Sequence, residues 1–411
     1  MTKKIEERDP LWLGKGILPE CAAIQSPWGK LIGYKDAMHY ASRYSAVVSA
    51  ATMQALRILI PDYEERAQLL CEEAFARLTK SAQDAGPAHL EEFNIHPFCR
   101  GAFIGALNGD KGDEALLMCG RVNDFGTYRA EKELDICDWD IVGSELCRET
   151  TMSLQAGANI MASRLRKGPS MEYCMVEAKG CGDLHCRIVA ESREKYPMPE
   201  HKLWESFGPI ATADQIKFTP EEECIKESMI FREECNYTFT NGTNVEVGPE
   251  SATMLTFCNA ATFYVLPGLD YAIKTGVVDE KFAHHVLHCV CEAAGKAACG
   301  EAVTKDAIIA WLGAPKDIND GRLMGGYMEM YLQSMTVGYE IEAFNKDEVI
   351  YVVDRYRLGL GYETFVKSLM AYWNGMTKTL VNAQWFLWEE PGDTTPDKLR
   401  IKIARKVDKF C

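Results

Sequence analysis

The chain has 411 residues, 16 of them cysteine, and a formal net charge of -15 with a pI of about 5.1. That length holds two or three cores. The acidic balance argues against nucleic acid or an anionic membrane as the main partner. No apolar run reaches the about 18 residues of a spanning helix, and MTKKIEERDP carries no secretory h-region. The expected location is therefore cytoplasmic, where the scattered cysteines stay reduced and pack as small hydrophobes. Such cysteine usage fits an anaerobic source.

In chain order, residues 1–36 read as an irregular lead-in with Pro10, Pro19 and Pro27. Ala37 to Ile58 carries apolar and small residues at helical spacing. Asp62 to Ser81 is a clearer amphipathic helix, with Leu69, Leu70, Ala74 and Leu78 opposite Glu64, Glu65, Glu72 and Glu73. His89 to Leu107 is a third helical stretch, interrupted at Pro97, and Ala115 to Val122 reads as a strand. A long helix is expected over Asp138 to Leu165, stopped by Lys167-Gly168-Pro169. Met171 to Ser192 is a β-hairpin about Gly180-Cys181-Gly182-Asp183.

Residues 196–250 read as a connector with one helix near Pro220 to Glu233. Helical patterning returns over Ser251 to Thr275 and Asp279 to Ala298. Met324 to Leu332 is short and apolar. Glu348 to Asp354 is a strand, Tyr362 to Leu380 a helix, and Gln384 to Ile403 a second hairpin about Pro391-Gly392-Asp393.

This order repeats. Cys71-Glu-Glu-Ala74 and Cys291-Glu-Ala-Ala294 hold the same place in two helix pairs, and Gly182-Asp183 matches Gly392-Asp393. The expectation is an α+β chain of two related halves, residues 37–195 and 251–411. Each half is a helix pair, strand, long helix and C-terminal β-hairpin. The second hairpin lacks Cys and His entirely. A fold that needed the first half's cysteines for packing would need them twice, so that set reads as functional.

The first hairpin gathers Cys174, Cys181, His185 and Cys186 beside Glu177 and Asp183. Thiolate and imidazole are zinc ligands at about 2.0–2.3 Å, so these four form a candidate site for zinc or another divalent metal. Buried thiols without metal are the competing reading. Pairing register decides whether Cys174 and Cys186 share a face. Cys137 precedes a helix N-terminus, which favours a thiolate nucleophile, whereas Asp138 and Asp140 oppose that or act as helix caps. Asp140, Glu177, His96 and His185 are the candidate proton carriers. Arg100 is placed to hold a substrate carboxylate and Trp139 to wall the substrate. His284, His285 and His288 read as a packed helix face, since the His-Glu-x-x-His pattern is missing. The glycine-rich segments lack a strand–GxGxxG–helix setting, so no nucleotide cofactor is expected.

Cys137-Asp138-Trp139-Asp140, a long helix, and then Gly182-Asp183-Leu184-His185-Cys186 in a hairpin resemble the L-2-amino-thiazoline-4-carboxylate hydrolase-like family. They are also similar to the related 4-vinyl-reductase-like small-molecule-binding domains. The likeness covers roughly residues 37 to 192, with a fainter copy over roughly 251 to 404. It implies an α+β domain with a pocket for a small, cyclic organic molecule and hydrolysis of a non-peptide C–N bond. A ligand-binding sensor or carrier is the alternative, and a metal-dependent reductase or lyase a further one. The second half then supplies structure, a homodimer contact or one wall of the pocket.

Overall fold

Asp279 and Thr304 each stand one residue before a helix, and in each case the side chain takes an otherwise orphaned amide. Asp279 accepts from Phe282 N–H and opens α3, Glu280–Ala298; Thr304 accepts from Ala307 N–H and opens α4, Lys305–Leu312. The computed structural model describes residues 24–32, 34–84, 120–124, 129–134, 137, 139–150, 172–191, 239–240, 246–247, 267–299, 304–335, 337–359, 361–391 and 395–406. Helix and strand are mixed in an α+β fold. The described residues form two compact units, divided between Leu59 and Ile60 at the N-terminal end.

One unit begins with β1, Ile24–Gln25, paired antiparallel to β2, Leu31–Ile32, inside the stretch expected to be irregular. Then comes α1, Tyr34–Leu59. This helix was expected to join the first half. It packs instead on α3 and on α5, Arg322–Ser334, and α7, Glu363–Leu380. The physical reason is its buried small face: Ala41, Ser45, Ala46, Val48, Ser49 and Thr52 let backbones approach closely. At that junction Thr52 Oγ1 and Ser368 Oγ lie 3.2 Å apart. The expected helix pair of the first half is thus split between units.

The sheet of this unit has β9, Tyr339–Phe344, β10, Glu348–Asp354, β11, Trp385–Glu389, and β12, Lys398–Arg405. Its order is β11-β12-β10-β9, antiparallel throughout. A short helix α6, Arg355–Gly359, follows β10. Trp373 and Trp385 are fully buried in this core. On α5 the buried Glu329 carboxylate accepts hydrogen bonds from the Tyr339 and Tyr351 hydroxyls at 2.8 and 2.7 Å. The histidines of α3 face separate partners: His284 meets Lys367 Nζ at 3.1 Å and His288 meets Glu292 at 3.4 Å.

The other unit has α2, Tyr63–Asp84, and the strands β3, Gly120–Asp124, β4, Arg129–Leu134, β5, Glu172–Glu177, and β6, Cys186–Glu191. Its order is β3-β4-β6-β5, also antiparallel. In each sheet the first two strands pair, the second pairs with the fourth, and the fourth with the third. A two-residue pair, β7 at Phe239–Thr240 and β8 at Glu246–Val247, lies in the expected connector. The expected helices at His89–Leu107 and Pro220–Glu233, and the Gly392-Asp393 turn, lie outside the described residues. Among the described residues no helix is long and apolar enough to cross a membrane.

Candidate functional site

The hairpin of β5 and β6 is registered by its loop. Asp183 closes residues 178–183: its carboxylate accepts from Ala178 N–H at 2.8 Å, and its own N–H donates to Ala178 O at 3.2 Å. Between them Lys179–Cys181 make a 3-10 turn, ended by Gly182 at φ 93°. No side chain but glycine's adopts that conformation cheaply. A Cβ at Gly182 would meet nothing within 4 Å, so Gly182→Ala should cost only the backbone term, about 1–2 kcal/mol by thermal unfolding. Gly180 differs. Its Cβ would lie 2.7 Å from Cys147 Sγ and 3.1 Å from Gly143 O. Gly180→Ala should therefore disturb the thiols described next as well as stability.

Gly180 seats the loop on a second irregular segment. Cys137 and Trp139 lead into a 3-10 turn, Asp140–Val142, and Gly143 at φ 111° breaks it from the helical residues 144–150. The helix expected from Asp138 thus begins later, and Asp140 lies inside the turn with no cap hydrogen bond made by the residue before it. The loop docks on this turn, and the Cys137 and Cys186 thiols influence each other's titration. The Lys179 amide donates to Cys186 Sγ at 3.3 Å. Trp139 N–H is directed at the Cys137 sulfur, and Gly180 N–H at that of Cys147. Trp139, expected as a substrate wall, has its side chain buried at 5% exposure.

The three thiols differ electrostatically. Cys186 is lowered to about 7, first by the hydrogen bond from Cys137, then by the Lys179 amide and ammonium, with burial and Asp140 opposing. Cys137 is raised, because its proton is held in the bond to Cys186 and because it is buried. Burial pushes Cys147 up to about 12, helped by its thiol neighbours. The expected nucleophile was Cys137. Of the two sulfurs, Cys186 is the one whose titration is lowered and Cys137 the one whose titration is raised. A three-residue turn carries too few aligned peptides for the dipole to lower Cys137.

Register also separates the other expected residues. Glu177 pairs with Arg187 across the strands, so the pleat places both on the face opposite Cys186. Glu177 Oε2 lies 3.1 Å from Arg187 Nε and 2.9 Å from His185 Nε2. Arg187 holds the Glu177 carboxyl below its usual range. Cys174 pairs with Val189, so its position too lies on the face opposite Cys186. Cys181 is exposed on the loop. Among the described residues no three His, Cys, Asp or Glu side chains converge as metal ligands would. His96 and Arg100 lie outside the described residues.

A set that the sequence reading missed lies on the next face of residues 144–150. Positions 145, 148 and 149 share that face at helical spacing. Arg66 of α2 reaches Glu145 at 3.0 Å, both buried, and also donates to Ile60 O and Pro61 O. Arg148 reaches Glu64 at 3.0 Å, and its guanidinium stacks 5.6 Å from the Tyr63 ring centre. Glu64, on the polar side of the amphipathic α2, stays exposed while it holds the buried Arg148. The signal was available in Glu145-x-x-Arg148-Glu149 against Glu64-x-Arg66. Glu145→Ala should strand the Arg66 cation and cost about 3–5 kcal/mol, read from the unfolding midpoint. Comparison of the chain with protein-family models, with curated proteins and with solved structures finds no match.

Proposed function

We propose that this chain is an enzyme that hydrolyses a non-peptide C–N bond of a small, cyclic organic substrate, with Cys186 as nucleophile. The observation that supports this most is the thiol pair: Cys186 lowered to about 7, Cys137 raised, and the Lys179 amide aimed at the Cys186 sulfur. The Cys186 sulfur adds to an sp2 carbon bonded to nitrogen. Cys137 gives its proton to the departing nitrogen. Water then attacks the carbon, releases the product and returns the proton to the pair. The likeness to the L-2-amino-thiazoline-4-carboxylate hydrolase-like family supplies the substrate class. In this reading Arg100 binds a substrate carboxylate, and Asp140 sits beside the thiols as a charge that restrains the thiolate. The reaction takes place in the cytoplasm on a free small molecule.

The test is incubation of the reduced protein with L-2-amino-thiazoline-4-carboxylate and a panel of cyclic amidines. Ring-opened product, and an acid-quenched adduct on Cys186, are the expected results. Binding of panel members with no product and no adduct would make the chain a carrier and overturn the proposal.

A further inference from the structure

We propose that His285 and Cys289 are one half of an intermolecular zinc site, completed by the same two residues of a second copy of this chain. The two side chains are one helical turn apart on α3, and both are exposed. His285, expected on a packed helix face, is not packed. Its Nε2 lies 3.9 Å from Cys289 Sγ. An imidazole nitrogen and a thiolate held at a tetrahedral angle on zinc stand about 3.6 Å apart. The pair is therefore set almost at the spacing the ion requires. Among the described residues neither side chain has another hydrogen-bond or ion-pair partner to give up.

One chain supplies two ligands, and tetrahedral zinc takes four. Among the described residues no third metal-ligating side chain joins them within the chain. A second copy supplies the rest when two α3 helices lie face to face and antiparallel about a twofold axis through the ion. The two His285–Cys289 pairs then cross as diagonals of opposed faces, which is a tetrahedral arrangement. The same symmetry stacks residues that lie about equally far from the ion. Phe282 falls on Ala293 of the second copy, and Lys281 on its Glu292. Phe282 is 55% exposed and Ala293 is exposed and small, so the ring gains cover without a clash. Lys281 is exposed and opposite in charge to Glu292. On binding, each Cys289 thiol releases its proton to water, and two thiolates neutralise the dication. This site is separate from the thiols of the hairpin and does not rest on the hydrolytic reading.

The experiment adds cobalt(II), and separately zinc, to reduced, metal-free full-length protein and follows the visible spectrum and the mass in solution. The expected result is tetrahedral cobalt bands with a thiolate charge-transfer band, one metal per two chains, and a doubling of mass that a chelator reverses. Cys289→Ser and His285→Ala, both at exposed positions, should keep the parent's unfolding midpoint and lose the spectrum and the doubling. Cys181→Ser, on the exposed hairpin loop, should keep both. Phe282→Asp leaves the four ligands in place and should weaken the zinc dimer about tenfold or more. Absence of a metal-dependent doubling, one metal per chain, a metal-linked dimer that survives either ligand variant, or a zinc dimer that Phe282→Asp leaves equally tight overturns the proposal. Turnover at Cys186 is read separately, so failure here leaves the hydrolase reading to its own test.

Discussion

Cys186→Ser is expected to lower turnover by about a thousandfold or more while leaving the fold intact. A serine hydroxyl is not ionised by one amide and one thiol donor, so the hydrogen bonds that make a thiolate at Cys186 would leave a neutral alcohol. The side chain is nearly isosteric, and the position keeps its place at the start of β6 opposite Leu134. The competing account makes Cys186 a packing residue, because Cys71, Cys291 and Cys299 are buried elsewhere with their pKa values raised. In those thiols burial outweighs what lowers them, Arg148 at Cys71 and the Ser368 and Thr52 hydroxyls at Cys291. Activity and unfolding midpoint measured on the same preparation separate the accounts: a core cysteine loses both together, a nucleophile only the first.

Gly375→Ala or Gly295→Ala is expected to destabilise the larger unit by about 3 kcal/mol, against a helix-propensity gain of only about 1 kcal/mol. On α7, a methyl at Gly375 would run into the Glu292 carbonyl oxygen and lie 3.0 Å from Lys296 N. On α3, one at Gly295 would overlap the Tyr372 carbonyl oxygen. The obstacles are backbone atoms of the facing helix, so no side chain can turn aside. The helices must separate, which also loosens Glu292 from Lys378 at 2.8 Å and from Asn374 at 3.0 Å. Glu292, though burial opposes it, is held down to about 2 by Lys296 and Lys378. Gly338→Ala is the control, since its Cβ would meet nothing within 4 Å. Urea unfolding of the three variants should place Gly338→Ala beside the parent; equal midpoints for all would remove the close-contact argument.

What the sequence disclosed follows local physics. β10 was expected with the bounds it has, because EVIYVVD is β-branched and flanked by turn residues. α3 and α7 were expected within a residue, from sustained helical patterning. β4 was not expected: RAEKEL has the composition of a helix, and pairing to β3 and β6 overrides it. β9 was missed although YEIEAF alternates with period two. α5 was read as short because Gly325 and Gly326 break a helix pattern. In the fold they are contact points, Gly325 against Val349 and Gly326 against Trp28. The two sheets share one strand order, β11-β12-β10-β9 and β3-β4-β6-β5 read from opposite ends.

The site was legible as residue types and not as an arrangement. Cys137 and Cys186 stood in the two motifs that carry the family likeness, and the turn at Gly182 followed from its sequence. Their partnership depends on how the hairpin is registered. That register passes through a bulge between Met175 and Glu177, which no local pattern announces. The bulge and the eight-residue loop send Glu177 and Cys174 to one face and Cys186 to the other.

The rate at which a small alkylating reagent modifies Cys186, followed by mass spectrometry from pH 5 to pH 10, tests the central claim most directly. The groups that face this sulfur are the Cys137 and Cys147 thiols and Asp140 from one segment, and Lys179 from the hairpin loop. A lowered pKa keeps the thiolate populated on going down in pH until the titration is passed. The rate should therefore be half-maximal near pH 7. In Cys137→Ala, which removes the leading stabilising hydrogen bond, the midpoint should move up by about one unit. A midpoint at or above the ordinary thiol value of about 8.5, or one that Cys137→Ala leaves in place, would contradict the account.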